Sequence, residues 1–310
     1  MNELEPINQK KLFGLDAYFL ELIRLYKSNK YPNKILLSGL KGLGKSTLAY
    51  HFINYVLSEN ENQKYDLKNF QINIESQTFK TILNKSNTNF IKIDIDSDKK
   101  NIDIKQIRDL ITSLNKSCFN SKPRFVLIDN IELLNINSIN ALLKVLEEPN
   151  ENVNFILINN NKRVLSTLLS RCINFRINLS NKECLNIINN LLDNRLENFI
   201  NLDLINYYLT PGNIYYLAKF AERNNYDLSK INLKNFLKII IKENFYKKDF
   251  LTKYIIFELI ELYFRKLNTS FSEKNYDKYT YFIKRIFDTK KFNLDEDSLF
   301  IEFEREILSE

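Results

Sequence analysis

Residues 39–47 read Gly39-Leu40-Lys41-Gly42-Leu43-Gly44-Lys45-Ser46-Thr47, which matches the phosphate-binding pattern G-x-x-x-x-G-K-[ST]. An apolar run, Lys-Ile-Leu-Leu-Ser at residues 34–38, precedes this P-loop and predicts a buried strand. Apolar residues at helical spacing follow the loop and predict a helix over residues 47–57. Because a phosphate-binding loop joins a strand to a helix in this order, the stretch predicts an α/β domain with a nucleotide site.

The chemistry of the P-loop assigns a role to each of its polar groups. Backbone N–H groups of the loop and of the following helix N-terminus point at phosphates. We therefore expect nucleotide contacts from Gly39, Gly42, Gly44, Lys45, Ser46 and Thr47. Lys45 is expected at the β- and γ-phosphates and Ser46 at Mg²⁺. The alternative is a glycine-rich turn without a ligand.

Further apolar runs alternate with helical patterns along the next hundred residues. Strands are predicted at residues 90–94, 124–129, 153–158 and 173–177, with helices at 104–114, 139–148 and 181–192. This alternation predicts a parallel sheet covered by helices on both faces. Such sheets bind ligands beyond the carboxyl ends of their strands, where Gly39 and Asp129 fall. Asp129 is the expected second Mg²⁺ ligand, close to Ser46.

Two later motifs carry a family resemblance. Residues 140–149 read Asn-Ala-Leu-Leu-Lys-Val-Leu-Glu-Glu-Pro, and residues 170–172 read Ser-Arg-Cys. Both resemble motifs of the AAA+ sliding-clamp loaders of bacterial DNA polymerase III, and the chain looks most like the delta-prime type. The likeness is close over residues 10–178 and loose beyond. It implies an AAA+ P-loop domain at 1–178, a small helical lid at 179–228 and an all-α collar at 229–310. In these last two parts the residues themselves predict helices at roughly 202–209, 213–223, 233–246, 249–268, 273–288 and 295–308.

Two positions depart from the active ATPases of this family. Residues 125–129 look like the Walker B strand of that family, with Asp129 as its aspartate. The active ATPases carry Glu directly after this aspartate, whereas this chain has Asn130. An amide orients water but is a poor proton acceptor. Glu132 stays open as a substitute. The start of the lid helix in this family fits Pro211-Gly212-Asn213, and the position that usually holds its phosphate-sensing arginine is Tyr215. The resemblance therefore implies ATP or ADP binding with Mg²⁺ and weak or no hydrolysis.

The resemblance also implies roles for two residues outside the loop. Arg171 of Ser-Arg-Cys would be an arginine finger acting in trans on the nucleotide of a neighbouring subunit, because a guanidinium stabilises charge on a transferring phosphoryl group. The alternative for Arg171 is an ordinary salt bridge at a helix end. Asn159 would contact the γ-phosphate or the attacking water as a sensor, with Asn160 and Asn161 as alternatives in register.

Partners follow from the same likeness: sister subunits in a hetero-pentameric ring, and through them the sliding clamp and primer–template DNA. Motor subunits of this family carry a four-cysteine zinc module after the P-loop helix. Residues 57–90 contain no cysteine, so no zinc is expected. Two alternatives remain, an autonomous AAA+ ATPase and a structural scaffold with a vestigial P-loop.

Composition adds broad limits. The net charge of +7 favours an anionic partner such as nucleic acid, or reflects only a Lys- and Asn-rich coding bias. No apolar run reaches about 18 residues, so no membrane span is expected, and the polar start predicts a cytoplasmic protein. The widely spaced Cys118, Cys172 and Cys184 predict reduced thiols. The single histidine, His51, is predicted to pack in a helix.

Overall fold

The computed structural model describes residues 5–96, 99, 101–116, 120–147, 152–205, 210–248, 250–267, 273–292 and 294–309. The chain divides into two compact units. An α/β unit comprises Met1–Leu191 with Thr210–Gly212, and a helical unit comprises Leu192–Leu209 with Asn213–Glu310. The three-domain division with boundaries after residues 178 and 228 stays a prediction.

The α/β unit is built from parallel strands that alternate with helices. The helices are α1 (Asp16–Lys27), α2 (Lys45–Leu57), α3 (Gln77–Leu83), α4 (Ile104–Leu114), α5 (Ile136–Glu147), α6 (Ser166–Leu169) and α7 (Asn181–Leu192). The strands are β1 (Lys34–Ser38), β2 (Phe90–Ile93), β3 (Arg124–Ile128), β4 (Val153–Asn159) and β5 (Ile173–Arg176). In the described residues they form one five-stranded sheet in the order β2-β3-β4-β1-β5, with every pair parallel.

Both faces of the central strands of this sheet are buried. Along β3, Phe125 and Leu127 pack into a core that includes α1 and α2, whereas Val126 and Ile128 pack into a second core with α4 and α5. Successive strand side chains point to opposite faces, so a strand covered on both sides is apolar throughout. This explains the continuous apolar run at residues 125–128, and it confirms the predicted parallel sheet covered by helices.

Some predicted helix boundaries were wrong, and each shift has a local cause. Helix α5 begins at Ile136 rather than residue 139, because the side chain of Asn135 accepts a hydrogen bond from the N–H of Ser138 at 2.8 Å. The helix predicted over residues 233–246 is interrupted, because Asn244 takes a left-handed conformation with φ 52°. Residues 202–204 form only a 3-10 turn, and 206–209 lie outside the described residues.

The helical unit contains α8 (Pro211–Arg223, of which residues from Asn213 belong here), α9 (Leu233–Lys242), α10 (Phe245–Lys248), α11 (Phe250–Leu267), α12 (Glu273–Phe292) and α13 (Glu296–Phe303). The chain predicted as one helix over 295–308 ends instead in a π-helical turn at Glu304–Leu308. Phenylalanines fill the interior: Phe264, Phe282 and Phe303 lie with ring centroids 5.5–5.8 Å apart. No helix among the described residues is long and apolar enough to cross a bilayer.

Candidate functional site

The P-loop connects β1 to α2 through glycines that hold positive φ angles. Gly39, Gly42 and Gly44 have φ of 150°, 87° and 85°. A Cβ at Gly39 would lie 2.5 Å from the carbonyl oxygen of Ile177, so a side chain there is excluded. Gly44 is the N-cap of α2 and supplies no side-chain cap. The first N–H groups of α2 therefore lack intrahelical acceptors and lie at the end of a helix dipole that attracts anions.

Lys45 lies folded against its own loop. Lys45 is only 3% exposed. Its Nζ donates to the carbonyl oxygens of Gly39 at 2.9 Å and Leu40 at 2.6 Å. Burial lowers the pKa of Lys45 to about 8, and the nearby charges of Asp129 and Glu132 oppose this shift. Among the described residues, the partners of the buried ammonium are these carbonyl oxygens, which are neutral. It is available to a phosphate.

Ser46 and Asp129 meet as predicted. The Ser46 hydroxyl donates a short hydrogen bond to the Asp129 carboxylate, although 83 residues separate them in sequence. Burial and the charge of Asp94 raise the pKa of Asp129. A cation between the hydroxyl and the carboxylate would favour the ionised form. Thr47 follows on the first turn of α2 and is half-buried.

These residues fit a Mg²⁺-nucleotide. Orphaned N–H groups, a buried lysine and an adjacent hydroxyl–carboxylate pair are the donor set that phosphates and Mg²⁺ use in P-loop proteins. The described residues hold no group of three or more His, Cys, Asp or Glu side chains that could bind a metal by itself. Mg²⁺ commonly takes only one or two carboxylates and completes its shell with phosphates and water.

Beyond the P-loop, polar side chains form a row along the carboxyl edge of the sheet. The Asn130 amide donates to Asp94 Oδ1 at 2.7 Å and accepts from Asn160 Nδ2 at 2.8 Å. Asn160 also donates to Glu132, from Nδ2 at 3.0 Å and from its backbone N–H at 3.3 Å. Asp94, Asn130 and Asn160 follow β2, β3 and β4, which are adjacent in the sheet. The row fixes both ends of the Asn130 amide.

Asn130 itself sits in the left-handed region, with φ 53° and ψ 47°, and precedes a 3-10 turn at Ile131–Leu133. Apart from glycine, asparagine is one of the few residues that adopt this conformation readily. The turn directs Glu132 back towards the site, where its charge acts on Lys45 and Lys41. Glu132 therefore shares the site with Asn130, but Asn160 already hydrogen-bonds its carboxylate.

The sensor position divides between two asparagines. Asn159 is 7% exposed and its side chain bonds back to the backbone of Lys162, at 3.2 Å to the N–H and 3.0 Å to the carbonyl. It therefore holds the turn that follows β4. Asn160, the next residue, reaches Asn130 and Glu132. The role of Asn159 towards a nucleotide stays a prediction, and Asn160 is the side chain that joins the polar row.

Residues Thr210–Gly212 also touch the P-loop, which sequence reasoning missed. The Thr210 hydroxyl donates to the carbonyl of Lys41 at 2.8 Å, and the Gly212 N–H donates to the carbonyl of Gly42 at 2.9 Å. A Cβ at Gly212 would lie 2.8 Å from Gly42 Cα. The Pro211-Gly212 pair was a sequence signal for a helix start, but nothing local to it indicated this contact. Tyr215 belongs to the helical unit, where its ring lies 5.9 Å from the Lys219 ammonium.

Arg171 lies near the amino ends of the strands, whereas the P-loop lies at their carboxyl ends. Arg171 precedes β5, whose first residue Ile173 pairs with Ile35 near the start of β1, while the P-loop leaves the end of β1. Parallel strands of this length separate their amino and carboxyl ends by roughly 10 Å or more. The guanidinium forms an ion pair with Glu147, the last residue of α5, and its Nη1 donates to the carbonyl of Thr167 at 2.7 Å. The structure thus contains the helix-end salt bridge; the finger role stays a prediction.

The single histidine and the two described cysteines are packed into the fold. His51 is fully buried between Tyr65 and the carbonyl of Gln9, at 2.8 and 3.0 Å, which confirms its predicted packing role. Cys172 and Cys184 are free thiols, half-buried, and burial raises the pKa of Cys172 to about 11. A thiol with such a raised pKa is a poor nucleophile at neutral pH. Cys118 lies outside the described residues, as do Glu148 and Pro149 of the motif after β3.

The strand order, the P-loop after β1 and the aspartate after β3 define an AAA+ module. The chain belongs to the family described as "DNA polymerase III, delta subunit", which matches residues 15–181, more than half of the chain. It is therefore a member of the clamp-loader family of DNA polymerase III.

The individual relatives are named as different subunits of DNA polymerase III, gamma and delta' among them. The chain is 27% identical to DNA polymerase III subunit gamma of Buchnera aphidicola subsp. Schizaphis graminum, over 81% of this chain and 68% of that protein. It is 31% identical to subunit delta' of the same organism, over 59% of this chain and 54% of that protein. A solved gamma-subunit-related protein of Thermotoga maritima aligns at 19% identity and TM-score 0.48, covering 91% of this chain and 96% of that one. The chain thus spans about half to two thirds of these two curated relatives.

Proposed function

We propose that this chain is a delta-prime-type subunit of the DNA polymerase III clamp loader. In this proposal it binds ATP or ADP with Mg²⁺, hydrolyses ATP weakly or not at all, and lends Arg171 to a neighbouring subunit. Its partners are sister subunits in a hetero-pentameric ring and, through that ring, the sliding clamp and primer–template DNA. The single observation that carries the proposal is the Asn130 amide, which is fixed between Asp94 and Asn160.

That observation bears on hydrolysis in two ways. An amide cannot take the proton of an attacking water, and general acid–base catalysis typically contributes 10²–10⁴-fold. The hydrogen bonds to Asp94 and Asn160 also fix the amide in one orientation, which its protein neighbours rather than an attacking water determine. Glu132 is another carboxylate near the loop, and two N–H groups of Asn160 hold it in the same polar row. The pocket therefore favours binding over turnover.

The binding role follows from the P-loop residues. A bound phosphate would offer Lys45 charged acceptors in place of the carbonyls of Gly39 and Leu40, and charged hydrogen bonds are the stronger ones. Ser46 and Asp129 are the residues that would hold Mg²⁺, which neutralises phosphate charge when bound. The backbone N–H groups at the start of α2 would contact the phosphates, and the turn made by Asn159 borders the loop.

The position of Arg171, near the amino ends of the strands, supports its trans role. Since Arg171 lies beside the start of β1 and the P-loop leaves its end, the guanidinium is on the wrong side to serve its own nucleotide. It is partly exposed, at 31% of the side chain, and so accessible to another subunit. The helix-end salt bridge with Glu147 is compatible with this role, because an exposed ion pair is weak.

A motor subunit is the second candidate, and the gamma-named relatives favour it. The discriminating measurement is ATP turnover by the isolated full-length chain. We expect turnover well below ~1 s⁻¹, together with a rise in melting temperature on adding ATP or ADP with Mg²⁺, since a ligand that binds only the folded state stabilises it. Turnover at ~1 s⁻¹ or faster would favour the motor interpretation. Absence of any thermal shift would favour a scaffold with a vestigial loop.

The reconstituted loader tests the finger. Arg171→Ala should leave assembly intact and lower ATP hydrolysis at the receiving site by about 10³-fold, the scale of arginine fingers. Lys45→Ala should abolish the nucleotide-dependent thermal shift of this subunit yet affect loading less. The matched control is Arg24→Ala, which removes another exposed ion-paired arginine. Wild-type ATPase in the Arg171→Ala complex contradicts the trans role, and complete loss of loading with Lys45→Ala would mean that this subunit's own site drives the cycle.

A further inference from the structure

The ion pair between Glu147 and Arg171 joins two sequence motifs through residues that are 24 positions apart. Glu147 ends α5, and Arg171 follows α6. The guanidinium bonds to the carboxylate through Nη2 and to the Thr167 carbonyl through Nη1. Two acceptors from its own chain therefore hold the side chain that is proposed to act on another subunit.

The contact also stabilises Glu147, because this glutamate is the last residue of α5. The carboxyl end of a helix carries a partial negative charge, so a glutamate at the last helical residue is electrostatically unfavourable by itself. A guanidinium beside it removes that penalty. Yet both side chains are partly exposed, 31% for Arg171 and 51% for Glu147. Exposed pairs of this kind are weak and are screened by salt, so the contact forms and breaks readily.

We propose that Glu147 is a positioning residue that holds Arg171 until a terminal phosphate takes its place. This inference rests on the trans-finger role proposed above. A terminal phosphate offers the guanidinium more negative charge and one more acceptor oxygen than a carboxylate does. In the exchange, the N–H groups of Arg171 leave Glu147 and bond to phosphate oxygens, with no covalent change. When the phosphate departs, the guanidinium returns to Glu147.

The surroundings of Arg171 sharpen this exchange. Large apolar side chains within six residues of it in sequence are exposed: Leu165 at 45%, Leu169 at 40% and Ile173 at 56%. A neighbouring subunit that covers them would exclude water from the guanidinium. Charge–charge interactions strengthen as the local dielectric constant falls, so the difference between a carboxylate and a phosphate partner grows inside such an interface.

The holding contact is measured on the isolated full-length chain, without any partner. Phenylglyoxal modifies accessible arginines, and mass spectrometry of the Arg171 peptide gives the rate. Glu147→Gln should raise that rate at low salt by up to about fivefold, the population factor of an exposed ion pair. At about 1 M NaCl the wild type should approach the variant, because the pair is screened. Glu21→Gln, which removes the exposed pair with Arg24, should not change the Arg171 rate. Equal rates for wild type and Glu147→Gln overturn the proposal.

The reconstituted loader measures the consequence. Glu147→Gln should raise kcat/KM for ATP by up to the same factor at low salt, with the gain lost at high salt, and Glu147→Asp should recover part of the wild-type behaviour. Unchanged kcat/KM and salt dependence in Glu147→Gln, beside a strong effect of Arg171→Ala, overturn the holding role alone. No effect of Arg171→Ala overturns the finger role instead, so the two failures are distinguishable.

Discussion

Asn130→Glu restores the residue that active members of the family carry after the Walker B aspartate, and we expect it to damage the protein without creating an ATPase. The reason is that the surrounding residues are arranged for an amide. Asp94 accepts from one end of Asn130, and Asn160 donates to the other. A glutamate cannot donate to Asp94, and its carboxylate would add a negative charge to a site that already holds Asp94, Asp129 and Glu132.

The size of the loss follows from the local structure. Holding a residue other than glycine or asparagine at φ 53° costs roughly 1–2 kcal/mol. Each of the two lost side-chain hydrogen bonds contributes about 1 kcal/mol. Carboxylate repulsion adds to these terms, so we expect a decrease of at least about 3 kcal/mol in the free energy of unfolding. For a unit of this size, that corresponds to a fall in melting temperature of roughly 6–12 °C.

A substitution series separates these contributions. Asn130→Ala loses the hydrogen bonds and keeps the backbone cost, whereas Asn130→Gly loses the hydrogen bonds but accepts the positive φ. Urea denaturation should therefore place Asn130→Gly above Asn130→Ala in stability by about 1 kcal/mol, with Asn130→Glu below both. ATP turnover is measured on the same samples.

The reasoning would be refuted by one clear result. If Asn130→Glu is as stable as the wild type and hydrolyses ATP at ~1 s⁻¹ or faster, then the polar row does not fix the amide, and the pocket lacks only a base. A second outcome would remove only part of the reasoning. If Asn130→Glu is destabilised but Asn130→Gly and Asn130→Ala are equally stable, carboxylate repulsion still explains the loss and the cost of the positive φ does not.

Three further predictions concern other parts of the α/β unit. Burial lowers the pKa of His51 to about 4, so the folded chain should lose stability as pH falls from about 6.5 towards 4, by roughly 2 kcal/mol at pH 5; urea midpoints of wild type and His51→Gln should diverge in pH dependence, and parallel curves would contradict this. Gly212→Ala should lower stability by about 1–3 kcal/mol and weaken ADP binding, because its Cβ would lie 2.8 Å from Gly42 Cα; an unchanged melting temperature and thermal shift would show that the contact is dispensable. Thr210→Val should weaken ADP binding less, since it removes one hydrogen bond to the Lys41 carbonyl, and isothermal calorimetry would measure it.

The sequence was sufficient for those parts of the site that depend on local patterns. The glycines of the P-loop need positive φ, so their spacing along the chain is enough to identify the loop. The strand at residues 124–128 is apolar over its last four residues because both of its faces are covered, and this pattern placed Asp129 at a strand end near Ser46.

The rest of the site depends on which strands are neighbours, and a single sequence does not state this. Asp94, Asn130 and Asn160 come from three loops and meet only because β2, β3 and β4 are adjacent. The choice between Asn159 and Asn160 was open for a similar reason: one faces back to Lys162, the other reaches Asn130. The contact of Gly212 with Gly42 joins residues 170 positions apart, and no periodicity reports such a pair.

The placement of Arg171 and the P-loop at opposite ends of one parallel sheet gives the module a direction. In the proposed roles, a subunit that receives phosphate at one end and offers a guanidinium at the other associates with its relatives head to tail, through two different surfaces. Such heterologous contacts either close into a ring or leave two unlike ends. In an open array, one terminal member would hold an arginine with no phosphate to meet, and the other a phosphate with no arginine. A chain with weakened hydrolysis loses least at the end whose own phosphate meets no arginine. There its arginine still serves a neighbour, while its own nucleotide has no arginine in any case.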